Sequence, residues 1–342
     1  MRTCFLFLLA SAAWAQPTPT PTPNRSLLIL SKVDRTLAIV DPSSLAVLAR
    51  VPVGEDPHEV VVTADGRTAY ASNTGSGRFH QLSVVDLVGQ KPLPAVDTGA
   101  FLGPHGLAMV DGKIWFTAQG SMAVARYDPA RGVIDQVLGT GQERTHMLRV
   151  RADQKWLVAT NVDSGSLSFF ENVLIPPPVT PMGYVMPGAK PELGWRHTIV
   201  PVEKGVEGFD LSPDGRELWT ATPQSGHVFV MDRVAQKVVA TLSDLVLGVN
   251  RVKFTLDGKR VLISSARTGE LVVFDAASRR EQARIPLGKG ATEILLDPED
   301  PRAFVACTPD HRVAVVDLVK LTVTGYVEAG GRPDGMAWAV RP

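Results

Sequence analysis

"LSPDGRELWTATPQSGHVFVMDRVAQKVVATL" (residues 211–242) reads as four short strands in 32 residues. Asp214-Gly215 stands between two apolar runs, the strongest short-range signal for a β-hairpin, because Asp and Gly both tolerate positive φ. "ELWTAT" then forms a second strand and "VFVMD" a third, which ends in the carboxylate of Asp232. "KVVATL" supplies the fourth. Strand, Asp-Gly turn, strand, loop, strand ending in an acid, turn, strand: this is one blade of a β-propeller.

The same unit recurs in both directions along the chain. Its third strand appears as "LAIVD" (Asp41), "LSVVD" (Asp86), "VARYD" (Asp128), "LSFFE" (Glu171), "VFVMD" (Asp232), "LVVFD" (Asp275) and "VAVVD" (Asp317), at steps of 45, 42, 43, 61, 43 and 42 residues. The long step contains a Pro-rich insertion, 175–195. The turn appears as "TADGR", "MVDGK", "RADQK", "SPDGR", "TLDGK" and "DPEDPR". A period near 42 residues is that of a four-stranded blade. The 25 residues after Asp317 and the 16 from Ser26 to Asp41 together make one more period. "DGMAWAV" (334–340) is therefore the inner strand of a blade whose other strands come from the N-terminal end. Sharing that sheet closes the ring and removes its open edges. The reading is all-β: a seven-bladed propeller of four-stranded blades over 26–342.

The stretches "VTADGRTAYASNTGSG…LSVVD", 211–242 as quoted, and "RAFVACTPDHRVAVVD…VTGYVEAGGRPDGMAW" resemble the YVTN-type, YncE-like seven-bladed propeller repeats. The likeness covers essentially all of 26–342 and is specific to architecture, with the third unit lacking the "SPDG" wording and the fourth carrying the insertion. It implies export and a closed ring, and says little about activity.

Ahead of the ring, "MRTCFLFLLASAAWA" (1–15) has one arginine, an apolar run and Ala13-Trp14-Ala15, the layout of a signal peptide cleaved before Gln16. The run is too short for a membrane-spanning helix. "QPTPTPTPNR" (16–25) is read as an extended, solvated spacer. The expected location is thus periplasmic or secreted, as a monomer with no transmembrane segment. With 35 basic and 35 acidic residues the formal charge is zero, which argues against the electrostatic footprint of a nucleic-acid binder. Cys307, in "AFVACT", is expected as an inert core thiol. The strand-end carboxylates are expected to bond their own turns, and Trp115, Trp156 and Trp219 to wedge between blades.

Three of the seven histidines fall at one point of the repeat, at the start of the inner strand: "GEDPHEVVVT", "FLGPHGLAMV" and "QERTHMLRV". In a propeller that point is the mouth of the central channel. The aligned column is His58, His105, His146, Glu207, Asn250, Thr292 and Asp334, with Glu59 and Glu293 one place on. These residues, Thr292 apart, are the candidate ligand-binding set. His58, His105, His146 and Glu207 are also a candidate set for zinc, copper or iron, since imidazole and carboxylate suit those ions. The neutral alternative is a polar, water-filled mouth.

No G-x-S-x-G, phosphate loop, H-E-x-x-H or paired-cysteine motif is present. Two functions follow as expectations. One is an exported binding or scaffold protein that holds a small molecule or protein partner at the mouth. The other is a metal-dependent hydrolase of lactonase type at the same mouth, with Glu59 or Glu293 accepting a proton. The insertion 175–195 joins third and fourth strands and is expected on the opposite face.

Overall fold

The computed structural model describes residues 20–243 and 245–342; the signal-peptide segment lies outside them. Seven antiparallel four-stranded sheets form the ring. Blade 1 joins the two chain ends, with Arg25–Ser31 pairing Pro333–Val340 through Leu27 opposite Trp338. Among the described residues no helix is long and apolar enough to cross a membrane.

The Asp-Gly turns form hairpins, with one change from the expected geometry. Gly66, Gly215 and Gly258 have positive φ, whereas the preceding aspartates do not. Asp65 instead accepts from the Arg67 N–H and the Thr63 hydroxyl, and Asp214 and Asp257 repeat the pattern. Only Asp111-Gly112 has both residues at positive φ. The strand-end aspartates bond backbone N–H groups two or three residues on, as at Asp41, Asp86, Asp128, Asp232, Asp275 and Asp317. Glu171 departs from this and pairs with Arg196.

The core lies between blades. Trp219 is fully buried with its ring centroid 6.0 Å from Phe254 and 6.2 Å from Phe274, both in the next blade. Trp115 packs edge-on to Trp195 in the same way, and the half-buried Trp156 lies under the Arg233 guanidinium. Each fully buried large apolar side chain contributes about 1.5–3 kcal/mol. Cys307 is buried among Leu287, Ile294 and Val305, and burial pushes its thiol up to about 11. The end of the spacer is pinned at one point while Thr20, Pro21 and Asn24 stay exposed: Thr22 is buried, its hydroxyl donates to Leu87 O, and Gln90 donates to Thr20 O.

A repeated irregularity sets the mouth. In six blades two inner-strand residues face one residue of the second strand, between Pro57 and Val60, Pro104 and Leu107, Thr145 and Leu148, Val249 and Val252, Ala291 and Ile294, and Pro333 and Met336. Such a bulge re-aims side chains. In four of the six a hydroxyl on the facing residue repairs the ladder. Ser72, Thr117, Thr160 and Ser264 accept from the N–H of Glu59, Gly106, Met147 and Arg251. Three of these hydroxyls then donate to the next blade, Thr117 to His146 O, Thr160 to Glu207 O and Ser264 to Thr292 O.

Candidate functional site at the channel mouth

The bulges place His58, His105, His146, Asn250 and Thr292 each second in its inner strand, with Asp334 second in the strand that closes the ring. The three imidazoles form a continuous stack. Ring centroids are 4.5 Å apart for His58 and His105, and 3.8 Å for His105 and His146, with planes inclined by 46° and 38°. Glycine allows the blades this close: a Cβ on Gly106 would lie 2.6 Å from His146 O, and one on Gly335 2.1 Å from His58 O.

The three rings differ in their surroundings. His58 Nε2 lies 3.2 Å from Asp56 Oδ1, and its Nδ1 lies 3.3 Å from Asp334 Oδ2 and 3.1 Å from Lys32 Nζ. Burial works against the imidazolium, but the bonds to Asp334 and Asp56 outweigh it and raise the His58 pKa. Asp56 is lowered to about 2, chiefly by its bond to His58. His105 and His146 are both held well below the usual histidine range by burial, reinforced by His146 and His58 around the first and by Arg251 and Arg144 around the second. Gln119 Nε2 stands 2.7 Å from His146 Nδ1, whereas His105 Nδ1 is buried with no hydrogen-bond partner. The stack therefore joins a ring whose protonation its partners favour to two whose protonation burial disfavours.

The far side of the mouth is organised by a residue that the aligned column leaves out. Arg251, deeply buried in the channel, donates from Nε to Glu293 (2.6 Å) and from Nη2 to Glu59 (2.5 Å), reaching blades 7 and 2 from blade 6. Burial raises Glu59 to about 7, and Glu293 and Asp334 add to this against the pull of Arg251. Both expected proton acceptors are thus turned onto Arg251. Glu207 accepts from Asn250 Nδ2 at 3.1 Å, and Thr292 bonds Ala306 O and Thr308 instead of facing the mouth. The register carried a signal for Arg251: it occupies the place of Glu59 and Glu293, one after the column.

As they stand, these side chains do not form an assembled metal cage. His58 has both nitrogens engaged, and Lys32 Nζ, 2.7 Å from Asp334, sits where His58 and Asp334 would share a cation. Among the described residues no group of three or more His, Cys, Asp or Glu is placed to hold a metal ion. What the mouth does contain is a cavity of about 860 Å³, with the histidines on its floor and Lys32, Arg35, Arg144 and Arg332 among its walls. Glu55, Asp56 and Asp163 also line it. Lys32, Gln119, Arg144 and Arg332 lie in loops or strand ends outside the inner-strand column, so sequence alignment of that column could not collect them.

A solved protein from Lactobacillus plantarum superposes with a TM-score of 0.70 at 14% identity, over 92% of this chain and 98% of that one. The chain is a seven-bladed β-propeller. Other propellers similar to this chain carry different names. They include Kuenenia stuttgartiensis hydrazine synthase (TM-score 0.69, 18% identity, 91% of this chain and 99% of that chain) and a putative 6-phosphogluconolactonase from Bacteroides uniformis (0.68, 16%, 92% and 99%). At such identities the likeness is one of fold. Residues 196–293 match the cytochrome D1 heme domain family; the segment supplies Glu207, Asn250, Arg251 and Glu293 but none of the residues lining the cavity of about 860 Å³. No curated protein sequence matches the chain.

Proposed function

We propose that this propeller is a binding protein that holds a small anionic molecule, such as a phosphorylated or carboxylated sugar acid, in the channel mouth. The observation that carries the reading is the incompletely neutralised cationic wall. Arg332 is exposed with no carboxylate partner among the described residues, and Arg144 has its nearest carboxylates only at 3.6 and 3.8 Å. The edges of His105 and His146, whose protonation burial disfavours, offer hydrogen bonds to an anion. Many independent loops converging on a rigid rim suit selective binding. The putative phosphogluconolactonase among similar structures agrees with a sugar-acid ligand. Titration calorimetry with 6-phosphogluconate, citrate and uncharged glucose tests it. Binding of an anion, weakened in Arg144→Ala and Arg332→Ala and by added salt, is the expected result; equal affinity for glucose, or no binding of either anion, overturns it.

A second reading is favoured by one observation, the buried and unpartnered Nδ1 of His105. Two neutral imidazoles, His105 and His146, are chemically suited to zinc, copper or iron, which would supply Lewis-acid activation for a lactonase. Elemental analysis of untagged protein and a chromogenic lactone assay, each repeated on His105→Ala, decide between the two. Export belongs to the same proposal: N-terminal sequencing of the mature protein is expected to begin at Gln16.

A further inference from the structure

Three positions past the histidine column, toward the opposite face, the channel has a second functional level. Blades 4, 5 and 6 place Arg149, Asp210 and Lys253 there. Blades 7, 1, 2 and 3 place Leu295, Ala337, Val61 and Ala108. Each set is contiguous around the ring, so the level has one charged arc and one aliphatic arc. Six of these seven residues are partly exposed, whereas the position before them is buried in six of the seven blades. The Arg149 side chain keeps 43% exposure, against 7% for Arg251 nearer the mouth. Solvent therefore reaches this level from the far end of the channel. The blade 4 insertion leaves that same face: its strands pair on past Glu171 to Ile175 opposite Glu192, away from the mouth level where Thr145 pairs with Asn161, and leave Leu174 and Leu193 bare.

The charged arc holds one basic group too many. Arg149 Nε and Nη2 both donate to Asp210 Oδ1, at 3.2 and 2.8 Å, and the Phe254 N–H donates to Asp210 Oδ2. Glu59 and Glu293 are taken by Arg251, two positions nearer the mouth. Lys253 is left over. Among the described residues its ammonium has no hydrogen-bond acceptor and no ion-pair partner, and the groups that act on its charge, Arg149, Asp210, Glu293 and Glu59, all belong to inner strands around the channel. Burial, and after it Arg149, pushes the lysine below its usual range. Against burial, Arg149 and Lys253 hold Asp210 below the usual carboxylate range. Two basic groups thus face one carboxylate, and a buried amine without a partner is costly to keep charged.

We propose that this end of the channel binds a short aliphatic monocarboxylate, its carboxylate on Lys253 beside Arg149 and its chain along the arc of Leu295, Ala337, Val61 and Ala108. One negative charge matches the one basic group that lacks a carboxylate. The aliphatic arc selects the rest of the ligand, because a sugar acid or a phosphate would leave hydroxyls or oxygens unbonded against it. The site is separate from the mouth, since Arg251 with Glu59 and Glu293 crosses the channel between them. It stands or falls independently of the anion proposed there.

Titration calorimetry on the full propeller with butanoate, acetate and butan-1-ol tests the proposal. Butanoate is expected to bind about tenfold more tightly than acetate, for two more buried methylenes, and butan-1-ol not to bind. Lys253→Met keeps the length of the side chain without its charge, and is expected to weaken butanoate about tenfold or more. A thermal melt confirms that this variant folds. A second measurement needs no variant: acylation of the Lys253 amine by acetic anhydride, followed by mass spectrometry of its peptide, is expected to slow when butanoate is present, because the bound carboxylate covers the amine and favours its protonated form. No binding of butanoate, equal binding of butan-1-ol, an unchanged affinity in Lys253→Met, or acylation at Lys253 that butanoate leaves unchanged overturns the proposal.

Discussion

The imidazole of His105 stacks on that of His146 with centroids 3.8 Å apart, while Thr117 of the His105 blade donates its hydroxyl to His146 O. The same hydroxyl accepts from the Gly106 N–H inside the bulge. One side chain thus aligns two blades and two rings. Thr117→Val leaves a buried N–H unpaired, which costs about 1–3 kcal/mol. Thr117→Ser is expected to retain most of the stability. Urea denaturation of both variants measures the difference.

Arg251 is the largest single liability in the channel. Removing it leaves Glu59 and Glu293 as buried, unpaired carboxylates. Arg251→Met is expected to destabilise by about 3–5 kcal/mol, as when one partner of a buried ion pair is removed. The triple variant with Glu59→Gln and Glu293→Gln recovers much of that loss. A triple variant no more stable than the single one would show that Arg251 acts through packing alone.

The histidines predict opposite pH effects. His58 has a raised pKa in the folded protein, so its stabilisation is complete below about 6.5 and is lost as pH rises through the folded value. His105 has a depressed pKa, so its stabilisation is present above about 6.5 and is lost as pH falls toward the folded value. The stability gap between wild type and His58→Gln is therefore expected to be wider at pH 5.5 than at pH 8. For His105→Gln the order reverses. Thermal melts at the two pH values check both signs.

Close approach of the blades depends on missing side chains. Gly335→Ala sets a Cβ against His58 O, and Gly106→Ala sets one against His146 O and Met147 Cα. Both contacts are to backbone and cannot be relieved by a rotamer change. Overpacking of this kind costs about 1–3 kcal/mol. Gly112→Ala, where a Cβ meets nothing within 4 Å but φ is positive, provides the comparison for backbone strain without a clash. Melting of the three variants separates the two effects.

Wedging between blades is tested at Trp219. Truncation to alanine removes a fully buried indole that touches Phe254 and Phe274, and is expected to cost about 3–5 kcal/mol. Trp156→Ala, at a half-buried site under Arg233, is expected to cost less.

Much of this protein is legible in its repeat. The Asp-Gly turns, the strand-end aspartates and the split blade are local or periodic features, and a period near 42 residues leaves one ring as the economical way to bury every sheet face. The histidine column was equally legible, because residues at one position of a repeat end at one radius and height. The face chosen by the insertion followed from its place between third and fourth strands. Its bare apolar surface did not follow, since Leu174 and Leu193 have sequence neighbours like those of buried strand residues.

Position in the repeat determined where each side chain starts; only packing across the ring decided what it touches. Arg251 reaches Glu59 from 192 positions away, and Lys32 takes the space between His58 and Asp334 from a loop outside the column. Those contacts set which histidine is easier to protonate, because desolvation and nearby charge act through space and have no period along the chain.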